Sequence, residues 1–150
     1  MKVYPTIMPE EALHIVLDHA RPLPSLTLPL TAVTGKVLAA DLYAPFDYPA
    51  QPTTTVDGFA VIAADETPRR QLIGEQLAGH YDVHLRVHLG EAARITTGAH
   101  LPAGADAVIM WEDVVEESGA VTLKKAVVAG ENVRPAGVDI AAGALVLPAG

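Results

Sequence analysis

Cysteine is absent from the 150 residues of the sequence, and aromatic residues are scarce. Without cysteine the chain cannot form disulfides, thiolate zinc sites or cysteine nucleophiles, and this composition fits a reducing compartment. With one tryptophan, four tyrosines and two phenylalanines, a core has to be built mainly from Ala, Val, Leu and Ile. Half of the residues are apolar, so a core can be buried and the chain is not a disordered tail.

Basic residues are also few, since ten Lys and Arg stand against eighteen Asp and Glu, which gives a formal net charge of −8 at pH 7. The longest basic runs are the pairs Arg69-Arg70 and Lys124-Lys125, so nucleic acid is not expected as a partner. No apolar run approaches the roughly 20 residues of a membrane-spanning helix, and the N-terminal residues lack the basic start of a secretory signal. We therefore expect a cytoplasmic protein without a membrane partner.

Apolar residues that recur every three or four positions predict an amphipathic helix over residues 9–20. Pro9 suits the first turn of this helix, which ends before Pro22 and Pro24 because prolines cannot continue it. A short helical turn is predicted over residues 30–34, where Gly35 can provide a left-handed cap. The apolar stripe of the first helix consists of Ala12, Leu13, Val16, Leu17 and Ala20.

Beyond Lys36 the sequence predicts short strands separated by turns, and hence a compact β-rich module. The strands are predicted over residues 37–43, 59–63, 71–77, 105–110 and 120–128. A hairpin is expected between residues 111 and 121, with Ser118-Gly119 as its turn. Residues 83–89 alternate strictly between apolar and polar side chains, which predicts another strand. Its core-facing residues would be Val83, Leu85, Val87 and Leu89.

Three histidines, His80, His84 and His88, are four residues apart, as metal ligands on a helix would be. The alternation of residues 83–89 favours a strand instead, and it places Arg86 on the same face as His84 and His88. A guanidinium between the two rings would repel a cation, so the pattern favours a solvated strand face over a metal site.

The first candidate site lies in residues 53–61, where three hydroxyls and a carboxylate lead into a strand. Asp57 could bind a hydrated cation or orient a water, while Thr54 and the adjacent hydroxyls could donate to an oxyanion such as phosphate or molybdate. The alternative is a common Asp-Gly turn, in which Asp57 bonds nearby backbone amides. Spacing alone favours the alternative.

The second candidate is the loop at Thr97-Gly98, which joins two predicted strands. Its backbone amides and the Thr97 hydroxyl could approach an anionic ligand, although it lacks the Gly-Lys-Ser/Thr of a Walker loop. The alternative is an ordinary connection between strands, and for the loop alone that is favoured.

The third candidate is residues 130–140, where Arg134 and Asp139 flank a bend that contains Pro135. Arg134 could hold a phosphate through two hydrogen bonds, and Asp139 could hold a metal or a water. Equally, the two side chains could form a surface ion pair of little energetic value. The chain then stops in a predicted strand and its exit turn, so we expect it to be a fragment of a longer protein.

These three segments, in this order, resemble the molybdopterin molybdenumtransferase family, whose animal and plant members include the E domain of gephyrin. Each motif is weak alone, but together they extend over almost the whole chain at compatible spacing. The matching segments are residues 10–13, 21–24, 35–41, 56–61, 90–98, 101–108, 130–134, 137–140 and 147–150.

The resemblance implies an α+β fold that is mainly β. A β-rich module, residues 45–135, would be inserted into a small α+β unit that both chain ends form, residues 1–44 and 136–150. Members of the family are homodimers, and they continue into a molybdopterin-binding α/β domain and a small β-domain. The catalytic cleft of the family lies between the α/β domain of one subunit and the N-terminal units of the other, so the isolated chain is expected to be inactive.

The resemblance also implies which residues act in the site. The catalytic residues would be Asp57, Thr97 and Asp139; Thr54, Gly98 and Arg134 would bind substrate; and Asp57 and Asp139 would hold Mg²⁺. The implied reaction inserts molybdate into adenylylated molybdopterin and releases AMP. Carboxylates for a cation and a water, with a hydroxyl and a guanidinium for oxyanions, agree with that chemistry.

The sequence departs from the family pattern in two places. Residues 52–56 read Pro-Thr-Thr-Thr-Val where bacterial members usually have Asp-Asn-Ser-Ala-Met. Val138 stands where the family has Glu, and Pro135 and Ala136 replace two arginines, so some basic contacts to substrate would be missing. A divergent paralogue that acts as a ligand-binding or scaffold module is therefore the alternative.

Overall fold

The computed structural model describes residues 6–150, which form two compact units. One unit contains the described residues up to Ala39 together with Gly150, and the other contains Ala40–Ala149. None of the helices in residues 6–150 is long and apolar enough to cross a bilayer.

The first unit contains helix α1 (Pro9–His19), as predicted. Pro9 opens the helix, where its missing N–H costs no hydrogen bond, and Glu10 and Glu11 face the positive end of the helix dipole. The predicted second turn is a 3-10 helix, Leu30–Ala32, and Gly35 follows it with a φ of 75°. Both helical predictions are confirmed.

The apolar stripe of α1 is largely exposed. Leu13, Val16 and Leu17 are 58%, 64% and 58% exposed, and no residue of the helix is buried. The predicted apolar periodicity is therefore present, and the large side chains that form it are exposed.

The second unit contains ten short strands in three sheets. The largest has six strands in the order β6-β3-β5-β4-β8-β7, while β1 pairs with β10 and β2 pairs with β9. All pairs are antiparallel except β4 with β5. The strands are β1 (Leu42–Tyr43), β2 (Thr53–Thr54), β3 (Gly58–Val61), β4 (Arg69–Gln76), β5 (Glu91–Ile95), β6 (Ala107–Met110), β7 (Val114–Glu117), β8 (Ala120–Leu123), β9 (Val133–Arg134) and β10 (Leu145–Leu147).

All five segments predicted over residues 37–43, 59–63, 71–77, 105–110 and 120–128 contain a strand. Four of these strands are shorter than predicted, whereas β4 (Arg69–Gln76) is longer and starts earlier. The segment predicted over residues 37–43 forms a strand only at Leu42–Tyr43. The hairpin of β7 and β8 turns at Ser118 and Gly119, whose φ angles of 50° and 71° suit a two-residue turn. The mainly β, α+β fold class is confirmed.

Strand β3 lies at the centre of the core because both of its faces are covered. Phe59 and Val61 belong to one cluster of buried side chains, and Ala60 belongs to another. At the start of the strand, a Cβ on Gly58 would lie 2.0 Å from the carbonyl oxygen of Ile109. Only glycine fits this approach of β3 to β6, so the residue before it, Asp57, is fixed at the end of a buried strand.

The two ends of the second unit meet in the β1–β10 pair. Its neighbours extend the pairing, since the Ala44 N–H donates to Ala144 O at 2.9 Å and the Gly143 N–H donates to Ala44 O at 2.8 Å. This pairing accords with a module inserted between chain ends. The domain boundaries, 45–135 within 1–44 and 136–150, stay a prediction.

The prediction of a strand over residues 83–89 is wrong, because this segment forms turns and loop instead. Asp82 instead starts a turn, because its carboxylate accepts the His84 N–H at 2.8 Å and its carbonyl accepts the Leu85 N–H at 3.3 Å. Val87 is buried, but Val83 and Leu89 are 66% and 68% exposed. An Asx turn breaks the alternation that the apolar spacing predicted, although His84 and His88 are exposed as expected.

Candidate functional site

Asp57 contacts Thr97 across 40 residues of sequence. Its Oδ1 accepts the Thr97 backbone N–H at 2.7 Å and the Thr97 hydroxyl at 3.0 Å. The contact exists because β3 pairs with β5, so Gly58 lies opposite Ile95 and the ends of the two strands meet. Asp57 therefore does not merely bond its own turn, and two of the predicted catalytic residues form one exposed pair.

The amides of the Thr97-Gly98 loop are already engaged within the protein. The Thr97 N–H donates to Asp57, the Gly98 N–H to Thr54 O and the Ala99 N–H to Thr96 O. For the backbone amides, the alternative that the sequence favoured, an ordinary connection between strands, therefore holds, and these N–H groups are not free to bind an anion. A Cβ on Gly98 would meet no atom within 4 Å, so the loop borders open space, where the lone pairs of the Thr97 hydroxyl are the groups left to a ligand.

Thr54 is buried, and its hydroxyl serves the turn that follows β2. Its Oγ1 donates to Val56 O at 2.9 Å and accepts the Val56 N–H at 3.2 Å. The side chain therefore shapes the approach to Asp57, and this placement offers no direct support for the predicted contact between Thr54 and substrate.

Arg134 and Asp139 form an exposed ion pair, in which the guanidinium Nη2 donates to Asp139 Oδ1. Strand β9 holds Arg134 opposite Thr53 of β2. The loop that carries Asp139 is held by residue Tyr48, whose carbonyl accepts the Asp139 N–H at 3.0 Å. The surface ion pair considered from the sequence is thus present, and the bend brings both side chains to one place.

Strand β2 connects the two pairs. On one side the Thr54 N–H donates to Ala99 O at 3.0 Å, and on the other side Thr54 lies opposite Val133. The Asp57–Thr97 pair and the Arg134–Asp139 pair therefore flank one two-residue strand. The pairs make no hydrogen bond with each other among the contacts of residues 6–150.

Asp57 remains ionised over a wide pH range. The Thr97 backbone N–H, and after it the Thr97 hydroxyl, holds the pKa of the Asp57 carboxyl below its ordinary 3.8. Both hydrogen bonds fall on Oδ1, which leaves Oδ2 for another partner.

A cation would have few protein ligands here. Within the described part of the chain, no group of three or more His, Cys, Asp and Glu residues is placed to hold a metal. Mg²⁺, however, commonly uses one or two carboxylates and takes its other ligands from phosphate and water. Asp57 fits such a role through Oδ2, whereas Asp139 would have to share its carboxylate with Arg134.

A second Arg–Asp pair, Arg70 with Asp65, was not found from the sequence. The two side chains are buried and approach to 3.6 Å. Arg70 is the second residue of β4 and follows the exposed Arg69, and no periodic pattern marks it as internal. A cavity of about 460 Å³ lies beside it and includes none of the predicted site residues. Lys124 and Lys125 line this cavity, but both ammonium groups are bonded to protein oxygens.

The sequence as a whole matches a family model described as the MoeA N-terminal region (domain I and II), over residues 7–150. The chain belongs to this family. The resemblance to molybdopterin molybdenumtransferases that the motifs predicted is thereby confirmed.

Individual relatives and solved structures show the same similarity. The chain is 35% identical over 136 residues to the molybdopterin molybdenumtransferase of Synechococcus elongatus, covering 86% of this chain and 34% of that protein. It is 29% identical over 155 residues to the enzyme of Staphylococcus aureus (strain MSSA476), covering 94% and 35%. The crystal structure of the molybdopterin biosynthesis MoeA protein from Pyrococcus horikosii matches with a TM-score of 0.84 at 34% identity, covering 95% of this chain and 38% of that one. The chain thus spans about a third of the length of these relatives.

Proposed function

We propose that this MoeA N-terminal region supplies one side of a cleft in which molybdate is inserted into adenylylated molybdopterin and AMP is released. The observation that carries the proposal is the placement of Asp57 with Thr97, and of Arg134 with Asp139, on the two flanks of β2. The molybdopterin-binding side would come from the part of the relatives that this chain does not span.

The side chains suit an anionic substrate. Arg134 uses one guanidinium nitrogen for Asp139, so its other N–H groups can bind phosphate or molybdate oxygens. The Thr97 hydroxyl directs its proton to Asp57, and its lone pairs can accept from a water or face a hydrated cation.

Mg²⁺ would be held by Asp57 and, in the presence of substrate, by Asp139. When bound, the ion would offset the charge of phosphate and molybdate oxygens. Asp57 suits this role because the hydrogen bonds from Thr97 keep its carboxylate ionised and oriented.

The proposal is tested by AMP release from adenylylated molybdopterin and molybdate in a full-length protein that contains this chain. Asp57→Asn and Asp139→Asn should each lower turnover by about a hundredfold, because a charged contact to the reacting groups is lost. Glu117→Gln, on exposed edge strand β7, is the matched control and should keep full turnover. Full turnover in both Asn variants would contradict the assignment, and turnover by the 150-residue chain alone would contradict the one-sided cleft.

The proposal includes a homodimer that acts in the cytoplasm. The exposed stripe of α1 supports self-association, because a contiguous apolar surface marks a contact site. Sedimentation should detect a dimer at high micromolar concentration, and a double change, Leu13→Glu with Leu17→Glu, should reduce it. Glu10→Gln on the same helix is the control. A wild-type chain that is only monomeric would count against the dimer.

A further inference from the structure

Asn132 has an uncommon backbone conformation at the junction of two sheets. Its φ is 58°, and Ser118 is the other non-glycine residue with a positive φ in the described chain. Asparagine tolerates this left-handed region better than most residues. The turn lies directly before β9, the strand that carries Arg134.

The Asn132 side chain takes the place of a strand neighbour for β6. Its Nδ2 donates to Val108 O at 2.8 Å, and the carbonyl of the preceding Glu131 accepts the Val108 N–H at 3.0 Å. Val108 is buried, so its polar backbone groups need these partners. Asn132 is thereby anchored to the six-stranded sheet.

The backbone of Asn132 faces the other sheet. Its carbonyl oxygen accepts both the Thr55 N–H at 3.1 Å and the Thr55 hydroxyl at 3.3 Å. Thr55 is two residues before Asp57, and Asn132 is two residues before Arg134. Asn132 therefore bonds Val108 of the six-stranded sheet through its side chain, and it bonds Thr55, close to Asp57, through its backbone carbonyl.

We propose that Asn132 is a positioning residue, which holds Arg134 and the Asp57–Thr97 pair in one arrangement on the flanks of β2. The expected effect of Asn132 on catalysis rests on the proposed function of Arg134, Asp57 and Thr97. Asn132 acts through Thr55, which it contacts, and through Arg134, which follows it in β9.

Amide hydrogen exchange in this chain tests the anchor. Asn132→Gly permits the left-handed backbone and keeps the carbonyl, but it removes the side-chain donor. Asn132→Asp keeps the side-chain shape and replaces the donor by an acceptor. In both variants, the amide hydrogens of Thr55 and Thr97 should exchange at least about tenfold faster than in the wild-type chain, while the amides of β3 and β5 remain protected.

Ser118→Gly is the matched control, because Ser118 also has a positive φ but lies in the β7–β8 turn. It should leave the Thr55 and Thr97 amides unchanged. Wild-type exchange at both threonines in both Asn132 variants would overturn the anchor, as would equal acceleration in the control.

Turnover in a full-length protein separates positioning from simple stability. Asn132→Gly should lower kcat by about tenfold and change KM by less than about twofold. Asn132 does not itself bind substrate in this proposal, but its loss would misplace Arg134 and Asp57. Unchanged kcat despite faster exchange would overturn the positioning role. If Asp57→Asn retains full turnover, the proposed function fails independently of the exchange result.

Discussion

Two Arg–Asp pairs with the same sequence separation have opposite environments. Arg70 and Asp65 are five residues apart, and their side chains are 2% and 4% exposed. Arg134 and Asp139 are also five residues apart, but their side chains are 44% and 41% exposed. Residue type and spacing therefore do not distinguish a structural pair from a pair that can meet a ligand.

The buried pair has its polar groups satisfied by the fold. The three guanidinium nitrogens of Arg70 donate to the carbonyls of Thr67, Ile62 and Asp65 at 3.1, 2.9 and 2.6 Å. The Asp65 carboxylate accepts the N–H groups of Thr67 and Gly90 at 2.9 and 2.7 Å. Burial alone raises the pKa of Asp65, but these hydrogen bonds and the charge of Arg70 bring it below its ordinary value.

The exposed pair is bonded much less completely. Arg134 donates one hydrogen bond, to Asp139, and its other N–H groups remain available within the described structure. Water can replace either partner at little cost in free energy of unfolding. The buried pair therefore organises the loop between β3 and β4, whereas the exposed pair remains accessible from solvent.

Removal of Arg70 should have the largest effect on folding. Arg70→Ala leaves Asp65 buried and three carbonyls without their donor, so the free energy of unfolding should fall by about 3–5 kcal/mol. Urea unfolding measures this change, with the exposed neighbour Arg69→Ala as control, expected within about 0.5 kcal/mol of wild type. Equal effects of the two changes would show that burial does not distinguish these arginines.

Substitution of Thr97 should alter the ionisation of Asp57. Thr97→Val removes the hydroxyl donor and keeps the backbone N–H, so the pKa of Asp57 should rise towards, but not reach, its ordinary 3.8. Because the pKa of Asp57 is lower in the folded protein than in the unfolded chain, its ionisation stabilises the fold above about pH 3.8. This contribution is lost as the pH falls through the pKa of the folded state. A carboxyl ¹³C titration measures the shift. Thr122→Val, on strand β8, which does not pair with β3, should leave it unchanged. An unshifted pKa of Asp57 in Thr97→Val would contradict a contribution from the Thr97 hydroxyl.

Removal of Arg134 should have the smallest effect on folding. Arg134→Ala should change the free energy of unfolding by no more than about 1 kcal/mol, because an exposed ion pair contributes little. Urea unfolding alongside Arg70→Ala gives the direct contrast. A loss of more than about 2 kcal/mol would mean that the exposed pair also supports the fold.

Local chemistry made part of this fold predictable. Helix α1 follows from its apolar spacing and Pro9, and the β7–β8 turn follows from Ser118-Gly119. The segment 83–89 was not predictable from alternation, because the Asp82 side chain competes with strand pairing. Apolar periodicity carries no information on such a side-chain bond.

The candidate site was predictable only as a set of residues. The family resemblance named Asp57, Thr97, Arg134 and Asp139, but their pairing depends on β3 meeting β5 and on β2 meeting β9. The burial of Arg70 and the contacts of Asn132 could not be predicted from the sequence for the same reason. Each uses hydrogen bonds to carbonyls that only the fold brings near.

The proposed function requires both flanks of β2 to form one ligand-binding surface. An NMR titration of this chain with AMP and Mg²⁺ tests it, with the Thr97 amide and the Arg134 side-chain N–H signals followed together. Binding to one side of a cleft should be weak, with a Kd of about 1–10 mM. We expect both signals to shift along one saturation curve. Two different curves, or no shift of either signal at saturating ligand, would contradict a single binding surface.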